Sequence, residues 1–282
     1  MTQELKTFIT NFEGKAALAY KDYAIAYFNA TISGKTEDYD RSSDLQFKYN
    51  KIYSSKDDFA ILKKIKESNS IKDELLNRQL DVLYRAYSKY QIDEQKLEAI
   101  VKLATDIENR YSTFRAEVGG KKFTDNQIEE TLKNSTDSKT LQEAWTASKK
   151  IGRVVADDIL KLVKMRNETA RELGYSNYHE MSLKLAEQDP KDIDLIFDDL
   201  YERTKDVFFQ VKNEMDDFLT KRYRISKTEL MPWHYQNRFF QEAPKIYKVD
   251  LDSYYKSKDI VELTQKYFCR YRIADRRYDC KE

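Results

Sequence analysis

The sequence predicts an all-α protein, and three observations carry that prediction. Six Gly and three Pro in 282 residues leave long stretches with no helix breaker. Charged residues at 35% and apolar residues at 40% suit amphipathic helices packed about a shared core. Apolar side chains also recur at i, i+3, i+4 and i+7 over many turns, which is the period of one helical face.

The first part of the chain, to about Gly120, reads as helical from this composition alone. Asp93 is placed to cap a helix through Leu97, Ile100, Val101, Ala104 and Ile107. Gly119-Gly120 then breaks the helical pattern, and Thr124 with Gln127 forms a T-x-x-Q capping box that starts the next helix. A further helix carries Val155, Ile159, Leu162, Val163 and Arg166 and stops at Leu173-Gly174, where glycine suits the left-handed position after a helix. Ser176 is read as the restart, through Met181 and Leu185. Asp189 and Pro190 open the clearest stripe, an N-cap acceptor followed by the residue that loses no hydrogen bond at the first helical position. That stripe runs Ile193, Ile196, Phe197, Leu200, Tyr201, Thr204, Val207, Phe208, Val211, Met215, Phe218, Leu219, and is read as core. A last helix runs from about Ser257 through Tyr267. No repeat and no low-complexity linker interrupts the chain, so one helical body over residues 1–268 is expected.

Charge excludes several function classes. Lys plus Arg (50) balances Asp plus Glu (49), so the chain has neither a nucleic-acid footprint nor a polybasic membrane anchor. The start, Met1 to Lys6, has no apolar segment behind a basic one, and no stretch approaches the ~18 apolar residues of a membrane span. A cytoplasmic protein without nucleic-acid or membrane partners is expected. The only thiols, Cys269 and Cys280, lie close to the C-terminus, so the body offers no cysteine metal site.

Only two histidines occur, His179 and His234. A catalytic zinc needs three protein ligands and an open position. The helical device H-E-x-x-H puts two imidazoles on one face with a Glu beside the metal water. The nearest match is His179-Glu180-Met181-Ser182-Leu183, with Leu183 where the second imidazole belongs. No catalytic residue and no metal ligand is assigned in this chain, and no cofactor is expected in it.

Two segments carry more than helix patterning. Arg166 to Tyr178 spells R-N-x-x-A-x-x-x-G-Y-x-x-Y across a helix stop and restart. Glu229 to Pro244 is an aromatic run with P-W-H-Y followed by F-F-Q-E-A-P. The first resembles a segment that gluzincin peptidases share ahead of their zinc helix. The second resembles more specifically the bacterial branch of the angiotensin-converting-enzyme family, peptidase family M2.

The resemblance implies a helical ellipsoid split by a peptide groove, with an N-terminal half acting as lid and a C-terminal half holding zinc on H-E-x-x-H plus a downstream Glu. In that family the zinc polarises the scissile carbonyl and the motif Glu acts as general base. The implied role of this chain is the lid and groove-wall part of a zinc-dependent peptidyl-dipeptidase, with Zn bound only by the full-length family member. Trp233, His234, Tyr235, Phe239, Phe240 and Gln241 match the segment beside the substrate; His234 and Gln241 are the leading candidates for contact, while Trp233 and Phe239 equally suit core aromatics. A peptide partner is expected only when a catalytic half is present. Two other origins remain open: a stand-alone helical peptide- or protein-binding protein without catalysis, and a fragment of a thimet or oligoendopeptidase-type peptidase, the latter disfavoured by the P-W-H-Y and F-F-Q-E-A-P run.

After Tyr267-Phe268 the family continues into a glycine-leucine-proline turn, whereas this chain turns basic and aperiodic. A second-base reading of permissible codons from Phe268 onward restores that turn, so residues 269–282 are read as an out-of-frame, disordered tail; an ordinary polar C-terminus is the alternative. Such a segment cannot offset ordering costs of roughly 1–2 kcal/mol per residue. Deleting Cys269 to Glu282 is therefore expected to leave stability within about 0.5 kcal/mol of the parent chain, read by denaturant titration. A loss of several kcal/mol would refute the out-of-frame reading.

Overall fold

The computed structural model describes residues 1–247, 250 and 252–270. Helix dominates, as the composition requires. Helix α1 (Thr2–Ser33) runs unbroken until Gly34, whose φ of 66° lets its N–H return to the Ala30 carbonyl at 2.9 Å. Helix α2 (Thr36–Tyr53) then folds back along α1. Ser55 caps α3 (Lys56–Glu67), and Asp73 caps α4 (Glu74–Ser88) by accepting from the Leu76 N–H at 2.8 Å. Leu5, Leu62, Ile65, Leu80 and Tyr87 interlock where the start of α1 meets α3 and α4, forming the first of two apolar cores.

Helix α5 (Glu94–Thr113) begins at Asp93, whose carboxylate accepts from the Lys96 N–H at 3.1 Å, as expected. It lies between α2 and α8 as a middle layer. The segment after it is a departure from an all-helical reading. Strands β1 (Ala116–Val118) and β2 (Lys121–Phe123) pair antiparallel, with Val118 opposite Lys121. Gly119 (φ 57°) and Gly120 (φ 77°) form the two-residue connection, which needs positive φ at both positions. The glycine pair is thus a hairpin turn as well as a helix break; three-residue strands are too short to announce themselves by alternation.

Helix α6 (Asp125–Asn134) starts in the expected capping box: Thr124 Oγ1 accepts from the Gln127 N–H, and the Gln127 side chain accepts from the Thr124 N–H at 2.8 Å. Helix α7 (Ser138–Lys149), capped by Asp137, is followed directly by α8 (Ile151–Glu172). Ile128, Leu132, Leu141, Ala144 and Ala147 form the second core with Ala116 of the hairpin. Helix α9 (Tyr178–Leu185) is capped by Asn177 rather than Ser176, since Asn177 Oδ1 accepts from the Glu180 N–H at 2.9 Å.

Helix α10 (Pro190–Tyr223) starts at the predicted Asp189-Pro190 pair. Its stripe is not core over most of its length. Leu219 and Tyr223 are buried, and Met215 and Phe218 pack against the second core. Upstream, Phe197 (65% exposed), Val207 (63%) and Phe208 (61%) stand in solvent with Leu195, Ile196, Leu200, Tyr201 and Val211. Periodicity identifies which side of a helix is apolar; it does not supply the surface that covers it. A second uncovered stripe lies on α1 at Leu18, Ile25, Phe28 and Ile32.

Beyond α10 come an irregular stretch, the short α11 (Asp252–Tyr255) and α12 (Ile260–Arg270), which Asp259 caps through the N–H groups of Val261 and Glu262. The cap sits two residues past the expected start, and the helix includes Cys269 and Arg270. Residues 271–282 of the predicted tail lie outside the described residues. No helix among the described residues is long and apolar enough to cross a membrane.

The two kinds of apolar residue are expected to respond oppositely to mutation. Leu141→Ala, at a fully buried position, should lower unfolding free energy by about 2–5 kcal/mol. Phe208→Ser on the open stripe of α10 should change it by less than about 0.5 kcal/mol while raising solubility. Denaturant titration and a solubility measurement check both.

Candidate functional site

The aromatic run that the sequence singled out folds as one tight segment against α6, α7 and the end of α10. Pro232–Tyr235 form a single 3₁₀ turn, and Gln236 (φ 63°) and Phe240 (φ 58°) turn the chain twice more through left-handed backbone. Asn237 stabilises the second bend, its side-chain oxygen accepting from the N–H groups of Phe239 at 2.8 Å and Gln241 at 3.2 Å.

His234 is the pin of this segment. It is 1% exposed. Its Nδ1 accepts from the Met231 backbone N–H at 2.9 Å, so the proton of the neutral ring is on Nε2, which donates to Ser138 Oγ at 2.9 Å. Its ring packs on Tyr223, centroids 4.9 Å apart. Burial pushes the imidazole pKa down from 6.5, holding the neutral form. Both nitrogens are spent inside the fold, and contact with any other group through them requires one of these bonds to break.

The neighbouring candidates divide between support and surface. Trp233 is half-buried against Trp145 of α7, ring centroids 6.1 Å apart, and neither indole N–H finds an acceptor. Tyr235 is half-buried; its hydroxyl donates to Asp216 Oδ1 and accepts from Lys212 Nζ, both at 2.9 Å, and burial raises its pKa. Phe239, Phe240 and Gln241 are exposed, Phe240 standing edge-on to Tyr235. Phe239 covers the ammonium of Lys149, which lies 4.1 Å from its centroid and donates to the Arg238 carbonyl at 2.6 Å. Burial, and then the charge of Arg238, lower the Lys149 pKa. Arg238 in turn spans Asp125 at 2.9 Å and Glu129 at 2.8 Å, fastening the segment to α6.

These fastenings were missed in the sequence. Lys212 and Asp216 stand at i, i+4, a visible pair, but nothing in the sequence links them to Tyr235. Lys149, Arg238 and Glu129 come from three separate segments.

The R-N-x-x-A-x-x-x-G-Y-x-x-Y pattern is a joint between α8 and α9. Asn167 Oδ1 accepts from the Tyr178 N–H at 2.9 Å, Arg166 stacks 5.2 Å from the Tyr178 ring centroid, Ala170 is fully buried, and Gly174 takes φ 89°. His179 is exposed on the first turn of α9. The adjoining Glu180 is used locally: Lys184 and the Ser176 hydroxyl and N–H hold its carboxylate, lowering its pKa to about 2. Among the described residues no group of three or more His, Cys, Asp or Glu is placed to hold a metal ion. The arrangement does not fit a zinc centre.

The sequence profile of the angiotensin-converting enzyme family, peptidase M2, matches residues 1–264. No curated protein matches the chain.

Because the folded pKa of His234 lies below its ordinary 6.5, the unfolded chain binds more protons than the folded one as pH falls through that value. Stability should therefore be complete above pH 6.5 and decline below it, levelling off once the folded ring also protonates. In His234→Gln, whose amide can accept from Met231 and donate to Ser138 without titrating, that part of the decline should vanish. Urea titrations of both proteins from pH 7.5 to about pH 5 provide the comparison, and parallel curves would contradict it.

Proposed function

The chain belongs to the angiotensin-converting enzyme family, a family of metallopeptidases, and from that membership we propose that it supplies the lid and groove wall of a zinc-dependent peptidyl-dipeptidase and is hydrolytically silent alone. The observation that carries this reading is the uncovered apolar surface of α10, joined by that of α1. Monomers in water rarely leave contiguous apolar patches above a few hundred Å² exposed. A surface of this kind suits a body that packs against a further part of the same enzyme.

In this reading the segment from Met231 to Gln241 is one wall of the peptide groove. His234, Trp233 and Tyr235 hold its shape, and Phe239, Phe240 and Gln241 present the exposed side chains that would meet a peptide. Zinc would supply the polarising charge and the activated water of the reaction in the complete enzyme. Among the described residues no group is placed to hold it, so no chemical step is assigned to them. A peptide partner, and a cytoplasmic location, belong to the same proposal.

The purified chain is expected to retain no zinc through dialysis and to leave peptide substrates uncleaved, with His179→Ala changing neither result. It is also expected to bind a hydrophobic dye and to self-associate. Metal analysis, a peptide-hydrolysis assay, dye fluorescence and sedimentation measure these. Stoichiometric zinc lost on mutating His179 would overturn the proposal. A monodisperse, cooperatively melting monomer that ignores the dye would favour a stand-alone binding protein instead.

A further inference from the structure

Away from the aromatic segment, α2, the residues following α4, and helices α5, α8 and α9 converge on a cavity of about 150 Å³. That is room for roughly five waters at liquid density, well below the size of a drug-binding cleft. Its apolar lining includes Ile100, Val101 and Met181. Its polar lining includes Arg166, Lys89 and Asn50, and no Asp or Glu lines the cavity.

Three polar side chains in its lining have no hydrogen bond or ion pair to another side chain among the described residues. Arg166 is half-buried and rests on the Tyr178 ring, yet forms no ion pair among the described residues. Lys89 is exposed, lies 5.5 Å from the Tyr90 ring centroid, and likewise has no carboxylate among the described residues. Asn50 is only 7% exposed, and its amide makes no hydrogen bond among the described residues. Several cations elsewhere in the chain that reach between segments have a carboxylate partner: Arg110 with Asp158, Arg238 with Glu129, Lys96 with Glu172. Two cations without a carboxylate partner, an amide and several aliphatic side chains in one lining make a surface complementary to a small anion with an apolar body.

We propose that this cavity binds a small organic acid bearing one carboxylate on a short branched aliphatic body. The planar guanidinium of Arg166 offers paired N–H donors that match a carboxylate, and the Asn50 amide offers a further donor. The aliphatic body lies against Ile100, Val101 and Met181. Lys89 adds long-range attraction from the exposed side. Inorganic phosphate would satisfy the charges but gain nothing from the aliphatic wall.

The test uses the full chain and isovalerate as probe, with calorimetry or chemical-shift titration as readout and isovaleramide and inorganic phosphate as comparisons. Saturable isovalerate binding is expected, weakened roughly tenfold or more in Arg166→Gln and unchanged in Lys164→Gln, an exposed cation on the same helix outside the cavity. Isovaleramide should not bind, and phosphate should bind more weakly than isovalerate. Asn50→Asp, which adds a carboxylate to the lining that Arg166 shares, should melt at higher temperature than the parent and no longer bind the acid. The proposal is overturned if the folded parent chain shows no saturable binding or binds phosphate as well as isovalerate. It is equally overturned if Arg166→Gln or Asn50→Asp, melting cooperatively, binds isovalerate as tightly as the parent.

Discussion

An irregular stretch of some twenty residues must satisfy its backbone groups without a helix or sheet ladder, and in this chain side chains of the stretch itself share that task, a buried imidazole among them. His234 receives the Met231 N–H and gives its own proton to Ser138, so one ring ties the stretch to itself and to α7. Further ties fasten the residues on either side of it. Trp233 is set against Trp145, Tyr235 reaches the Lys212–Asp216 pair, and Arg238 falls between Asp125 and Glu129. What faces outward as Phe239, Phe240 and Gln241 is what remains after these inward bonds are made.

The chain illustrates which features of a fold are written locally. Asp93, the Thr124–Gln127 box, Gly174 and Asp189-Pro190 were legible because a helix end is closed by residues within four positions of it. The hairpin at Gly119-Gly120 was half legible: its glycines were visible and its three-residue strands were not. The fate of the α10 stripe was not legible at all. Periodicity from Ile193 to Leu219 described one apolar face, but only the last two turns of that face meet the second core.

The candidate segment was found by its resemblance to a family run, and its internal division came from geometry alone. The six candidates are contiguous enough to look equivalent in sequence. Packing separates them, because a histidine flanked by a backbone N–H three residues back and a serine hydroxyl on another helix is a structural tie, while a glutamine past a left-handed turn is held outward. The Arg166–Tyr178 pattern shows the same division: Asn167 and Gly174 build the joint between helices, and Arg166 is left facing a cavity without a counter-ion.

The Trp145–Trp233 contact has an optical consequence. These are the only two tryptophans among 282 residues that also include 21 tyrosines. Both indoles sit at one junction, between α7 and the irregular segment, with the Lys149 ammonium 5.0 Å from the Trp145 ring centroid. Emission excited at the red edge, where tyrosine does not absorb, therefore comes from that junction alone, its colour set by whether one short segment is seated on one helix.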